Sequence, residues 1–164
     1  MQPSEIGAGW RERVAQSAAP SWPWDQSDCP NYRSENYKAQ LHRRGAIQRF
    51  YELEERSLTA HQVVEKYEPG WAVRSVDDVR QVLKQCATYI LMGSRLSFSL
   101  VDASYLDGAG LLVRGRIEHV SSPATNAYFI AVRRGNIVST LNLPDLGSEA
   151  EVRAIAARLV ARLG

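Results

Sequence analysis

Four strand-like segments follow one another late in the chain with no helix between them, and this succession limits the fold more than any other feature. They are "RLSFSLVDASY" (95–105), "LLVRGRIEHV" (111–120), "NAYFIAVRR" (126–134) and "NIVSTLNL" (136–143). The last two meet at Gly135-Asn136, a dipeptide typical of tight hairpin turns. Strands joined by short turns pair antiparallel. These segments therefore predict an antiparallel sheet.

Two amphipathic helices accompany the sheet. Ser75 and Asp78 have capping-box spacing and predict a helix over about 75–88, while Ser148 and Glu151 predict a second helix before the C-terminus. Segment 45–67 adds two strands or one long bent hairpin. In segment 111–120, apolar and charged residues alternate, which indicates a sheet with one wet face. The fold class is therefore α+β: a twisted antiparallel sheet with two main helices packed on one face and a cleft on the other.

The length of 164 residues indicates one domain, 1–164, in which an irregular Trp- and Pro-rich opening (1–40) precedes the sheet and helices (41–164). Twenty basic and 18 acidic residues are spread along the chain, which argues against nucleic-acid binding. No apolar run reaches the roughly 18 residues of a membrane span. The first ten residues lack the apolar core of a signal peptide, so the chain is either cytosolic or has lost a leader.

Two cysteines stand at informative positions. Cys29 lies in the irregular opening and Cys86 on the apolar face of the first helix. A bridge between them would close a loop of 57 residues and constrain the unfolded chain by about 4 kcal/mol. The alternative is two unrelated buried thiols. No spacing of cysteine or histidine residues is typical of a metal site, so no metal is expected.

Several short segments together carry a resemblance to a known family. They are "PSEIGAGW", "DCPNY", "HQVVEKYEPGWA", "VRQVLKQCATY", "YFIAVRRGNIVSTL" and the closing amphipathic helix. This layout resembles the PknH-type extracellular sensor domain of actinobacterial receptor kinases and envelope lipoproteins. The resemblance implies an extracytoplasmic domain exported behind a removed N-terminal leader, which could also tether it to the membrane as a lipoprotein.

The opening segment "SWPWDQSDCP" (21–30) raises the question of what its tryptophans do. Trp22 and Trp24 could close the core as a hydrophobic plug or form one wall of a ligand cleft. Arg49 interrupts an apolar strand face between Ile47 and Tyr51, so it lies either over a wet cleft floor or at the sheet edge. The predicted ligand-binding set is completed by Tyr51, His61, Trp71 and Tyr105.

Function is predicted from what the sequence contains and lacks. No nucleophile elbow, phosphate-binding loop or zinc-protease motif is present, and no cofactor is expected. We predict a non-catalytic sensor-like or self-protection domain that binds a small-molecule, peptide or cell-wall-derived ligand in an aromatic and basic cleft. The alternative is a small cofactor-free enzyme of a secondary-metabolite pathway. For that role Asp102, on a strand near Tyr105, is the one candidate acid.

Overall fold

The structure, a computed structural model, describes residues 1–13, 20–106 and 110–163. Its strands are β1 (Arg11–Arg13), β2 (Arg43–Leu53), β3 (Leu58–Tyr67), β4 (Thr88–Leu91), β5 (Ser94–Val101), β6 (Gly110–Glu118), β7 (Thr125–Arg134) and β8 (Ile137–Pro144). The helices are α1 (Pro3–Ile6), α2 (Trp71–Gln85) and α3 (Glu149–Leu163), with short 3₁₀ turns at Ser34–Asn36, Lys38–His42, Glu54–Arg56 and Ser104–Leu106.

The described strands form one eight-stranded antiparallel sheet in the order β1-β2-β3-β8-β7-β6-β5-β4. The α+β class and the antiparallel sheet are therefore confirmed. Segment 45–67 forms the β2–β3 hairpin, and the predicted turn at Gly135 joins β7 to β8 with a positive φ of 53°. Sequence reasoning missed the short strands β1 and β4, and the opening 1–40 is less irregular than expected because it contains α1 and β1.

Helix α2 begins at Trp71, four residues before the predicted start, and ends at Gln85 rather than 88. Gly70, at φ 81°, precedes the first turn. The predicted capping box does not form, because both of its side chains bind elsewhere: the buried Ser75 hydroxyl donates to the Tyr67 hydroxyl (3.0 Å), and Asp78 accepts the Ala39 N–H (3.1 Å). Tertiary partners thus override a local spacing signal.

Helix α3 follows the prediction. The Ser148 hydroxyl accepts the Glu151 N–H at 3.4 Å, as an N-cap should. Val152, Ile155 and Leu159 are buried along one stripe. This apolar stripe packs against β7.

The two long helices lie on opposite faces of the sheet, which differs from the expected placement on one face. Leu111 and Val113 of β6 belong to the core under α2, whereas Leu112 between them belongs to the core under α3. Neighbouring residues on a strand point to opposite faces. The fully buried Leu112 also shows that β6 has no single wet face there. Both faces of the central strands are therefore covered.

The disulfide between Cys29 and Cys86 is confirmed, with the two Cα atoms 6.0 Å apart. Cys86 directly follows α2, and both cysteines are buried in the α2-side core. The bridge thus fastens the Trp-bearing opening to the end of this helix.

Candidate functional site

The two opening tryptophans are buried in the α2-side core, with Trp22 4% and Trp24 3% exposed. The Trp24 indole N–H donates to the Thr140 hydroxyl of β8 at 3.3 Å, and its ring centroid lies 5.6 Å from that of Phe129 on β7. The Trp22 ring packs 6.0 Å from Tyr37. In this arrangement both tryptophans close the core rather than form an exposed wall.

Beyond Trp24 the same face of the sheet becomes partly exposed. Val63, Thr140 and Ala131 stand opposite one another on β3, β8 and β7 and are buried. Two residues further along these strands, four side chains stand opposite one another across β2, β3, β8 and β7 and are partly exposed. They are Phe50, His61, Asn142 and Phe129. We call these four residues the aromatic row. Trp24 contacts the row at Phe129.

Phe98 on β5 extends the aromatic row across β6. The Phe98 and Phe129 ring centroids are 6.2 Å apart, and the rings meet edge to face. Gly115 lies between them, where a Cβ atom would stand 3.2 Å from the Phe129 ring and 3.3 Å from the Phe98 ring. Glycine at this position therefore lets the two rings approach over the strand.

His61 gives the row its titratable group. Its ring lies flat on Phe50 with the centroids 4.4 Å apart, and its Nε2 is 3.1 Å from the Gln48 Oε1. Burial lowers the pKa of His61, so the ring is uncharged at neutral pH. The row consequently consists of stacked and edge-to-face rings, with the polar groups of His61 and Asn142 among them.

Arg49 and Tyr51 alternate with Phe50 on β2 and so face the other side of the sheet. Arg49 pairs with Glu12 of β1 at 3.2 Å, which corresponds to the sheet-edge interpretation of this residue. The Tyr51 hydroxyl donates to the Met1 carbonyl at 2.8 Å and lies 2.9 Å from the Gln62 Oε1. Burial raises the pKa of Tyr51 to about 12. The structure does not bring these two residues together with His61.

Trp71 lies apart from the aromatic row, at the start of α2. Its ring stacks on His42 at a centroid distance of 3.5 Å, and the Arg74 guanidinium lies 5.0 Å from its centroid. Trp71 lines a cavity of about 320 Å³, which we call the α2 pocket, together with Asn36, Lys38, Arg74, Asp77, Asp78 and Gln81. Of the predicted ligand-binding residues whose side chains the structure describes, Trp71 alone lines this pocket.

Asp102 and Tyr105 follow β5 rather than lying on it, because the strand ends at Val101. Tyr105 belongs to a 3₁₀ turn, and its side chain lies outside the described part of the structure. Asp102 is exposed and accepts hydrogen bonds from the backbone N–H (3.0 Å) and hydroxyl (3.4 Å) of Ser104. These bonds lower the pKa of Asp102, whereas a proton donor at neutral pH needs a raised one.

Sequence reasoning missed Phe50, Phe98, Phe129 and Asn142. It followed the face of β2 that carries Ile47, Arg49 and Tyr51, and Ile47 is 59% exposed in the structure. The aromatic residue between Arg49 and Tyr51 was the available signal. In the ranges that the structure describes, no group of three or more metal-ligating side chains gathers, and no helix is long and apolar enough to cross a bilayer.

Comparison with known proteins shows the fold. No family model and no curated protein matches the chain. The extracellular domain of PknH from Mycobacterium tuberculosis is similar in structure, with a TM-score of 0.69 and 15% identity over 99% of this chain and 91% of that one. An uncharacterized protein from Mycobacterium smegmatis, an Rv0999 ortholog, matches with a TM-score of 0.47 and 11% identity over 98% and 93% of the two chains. The predicted resemblance to the PknH-type domain is thus confirmed at the level of fold.

Proposed function

We propose that this chain is a non-catalytic extracytoplasmic domain that binds a small-molecule, peptide or cell-wall-derived ligand on the aromatic row. The observation that carries the proposal is the register of Phe50, His61, Asn142 and Phe129, which holds four partly exposed side chains side by side across four strands. Side chains on neighbouring strands of a sheet are held rigidly, which suits a preformed binding surface.

The chemistry of the row favours a ligand with an apolar face. Aromatic rings bind such faces through their area and polarisability, and the uncharged His61 and the Asn142 amide add hydrogen-bonding groups. The disulfide-fastened segment that carries Trp24 packs beside Phe129. A ligand on the row would therefore lie next to a segment that is covalently held in place.

Two observations support the extracytoplasmic part of the proposal. Disulfides persist in oxidising compartments and are rare in the cytosol, and the fold is similar to that of the extracellular domain of PknH. Protein recovered from its host should resist thiol alkylation until it is reduced; two free thiols would overturn this assignment. A lipid tether belongs to the same proposal, and the mass of the protein extracted from host membranes tests it.

Ligand binding is tested by titration monitored with ¹⁵N NMR of the Trp24 indole, whose N–H lies next to the row. The probes are soluble peptidoglycan fragments and an amphipathic peptide. We expect one of them to shift the Trp24 signal in the wild type, and Phe50→Ala to weaken that binding at least tenfold. Ile47→Ala is the matched control, because Ile47 is on the same strand but on its other face. Equal weakening by both variants, or no shift with either probe, would overturn the proposal.

A further inference from the structure

We propose that the α2 pocket is a second, independent site, and that it binds a small zwitterion of the α-amino acid class. The pocket lies between α2 and the 3₁₀ turns that precede β2, away from the aromatic row. Its volume of about 320 Å³ is at the lower end of the range for ligand sites, roughly 300–1,000 Å³, and suits a ligand of few atoms.

The anion-binding part of the site is Arg74, whose position is fixed through a chain of contacts. Glu68 accepts from His42 at 3.0 Å, His42 stacks on Trp71 at 3.5 Å, and the Arg74 guanidinium lies over the Trp71 ring at 5.0 Å. A guanidinium held on an aromatic face loses little freedom when it binds a carboxylate. Arg44 forms a second ion pair with Glu68 at 2.7 Å, which holds the Glu68 carboxylate in place beside His42.

Arg74 and its neighbour Lys38 have charge available for a ligand. Within the described ranges, no carboxylate lies within ion-pair distance of either side chain. Both side chains line the pocket and are exposed. Two cations that line one cavity and form no ion pair favour a ligand that carries a carboxylate.

The cation-binding part of the site is Asp78, one helical turn from Arg74. One of its oxygens accepts the Ala39 N–H at 3.1 Å. Burial raises the pKa of Asp78, while the Ala39 N–H and the charge of Arg74 act in the opposite direction and favour the carboxylate. Asp77 itself is held by Arg80 at 2.6 Å, so Asp78 is the acid left to bind an ammonium group.

The opposite charges in the α2 pocket and its small volume select the ligand class. Residues four apart on a helix lie on one face, and both Arg74 and Asp78 line the pocket of about 320 Å³, so a ligand that contacts both must be small and carry its opposite charges within a few bonds. An α-amino acid has this property. A simple anion would be repelled by the two aspartates, and a simple cation would be repelled by Arg74 and Lys38.

The experiment is a titration of the folded protein with L-alanine, monitored by the indole N–H signal of Trp71. Propionate and ethylammonium each carry one of the two charges, and glucose is a neutral polar probe. We expect alanine to shift the Trp71 signal and both single-charge probes to bind at least tenfold more weakly. Propionate binding as tightly as alanine, glucose binding in its place, or no shift with alanine would overturn the proposal.

Substitutions test which residues of the α2 pocket bind alanine. Arg74→Gln and Asp78→Asn should each weaken alanine binding at least tenfold, and the asparagine keeps an oxygen that can accept the Ala39 N–H. Lys84→Gln is the matched control, since this exposed cation is on α2 but outside the pocket. Equal loss in the control would indicate a nonspecific charge effect and overturn the proposal. Phe50→Ala should leave alanine binding unchanged, so failure of this site and failure of the aromatic row are distinguishable.

Discussion

Removal of the Cys29–Cys86 bridge should destabilise the protein by about 4 kcal/mol, the loop-closure entropy expected for a separation of 57 residues. This is a large share of the roughly 5–15 kcal/mol by which a whole domain is stable. The double variant Cys29→Ala/Cys86→Ala is preferable to a serine pair, because both positions are buried and a hydroxyl there would need a new partner. The loss should reflect a less constrained unfolded chain more than a changed native structure.

The assay is urea unfolding followed by circular dichroism, with reduced wild-type protein as the control. Reduced wild type and the double variant should agree to within about 1 kcal/mol, because they share the same open chain and differ by two buried sulfur atoms. A loss under about 1 kcal/mol in both would refute the reasoning, since it would mean that the opening segment is held by its packing alone. If the double variant lost stability but the reduced wild type did not, the loss would come from the cavity left by the two missing sulfur atoms.

Three further predictions concern buried groups. Trp24→Ala should lower the free energy of unfolding by about 3–5 kcal/mol, the usual cost of removing a buried tryptophan; near-wild-type unfolding would show that Trp24 does not act as a plug. Gly115→Ala should cost about 1–3 kcal/mol and displace the Phe129 ring signals in NMR spectra, because the new methyl group would be within 3.2 Å of that ring. Burial raises the pKa of Glu65 above 4.5 despite its 2.9 Å contact with Arg43. The folded state then holds the Glu65 proton more tightly than the unfolded state, so this stabilising contribution is complete below pH 4.5 and is lost as pH rises through the folded pKa. The wild type should therefore gain stability as the pH falls toward 4.5, and Glu65→Gln should lack this gain. Urea unfolding at several pH values measures the difference.

Much of the architecture could be predicted because it depends on local patterns. The Gly135-Asn136 turn, the α3 stripe and the succession of strands each follow from residues close together in the chain. The start of α2 could not be predicted in the same way, since Ser75 and Asp78 bind Tyr67 and the Ala39 N–H, partners that come from other elements. Spacing along the sequence carries no information about such partners.

The placement of the helices and the composition of the site depend on which face each residue takes. The alternation expected for segment 111–120 places Leu112 on the wet face with Arg114, yet "LLV" and "YFIAV" are continuous apolar runs, the pattern of strands covered on both faces. Choosing the Ile47–Arg49–Tyr51 face of β2 in place of the Phe50 face moved the predicted site to the opposite side of the sheet. Since side chains alternate with a period of two, one such choice changes every residue of a predicted surface.

The aromatic row is partly exposed because α2 is too short to cover the whole of its face of the sheet. The sheet of eight strands is about 34 Å wide at a spacing of about 4.8 Å, whereas the 15 residues of α2 extend about 22 Å. The α2 face therefore needs further apolar cover, and the irregular opening supplies it with Trp22 and Trp24. Trp24 reaches Thr140 and one side of the Phe129 ring, so Phe129 and the neighbouring Asn142 stay partly exposed. Trp22 and Trp24 thus complete the core under α2, and a ligand that binds as we propose would contact this core at its edge, where Trp24 packs beside Phe129.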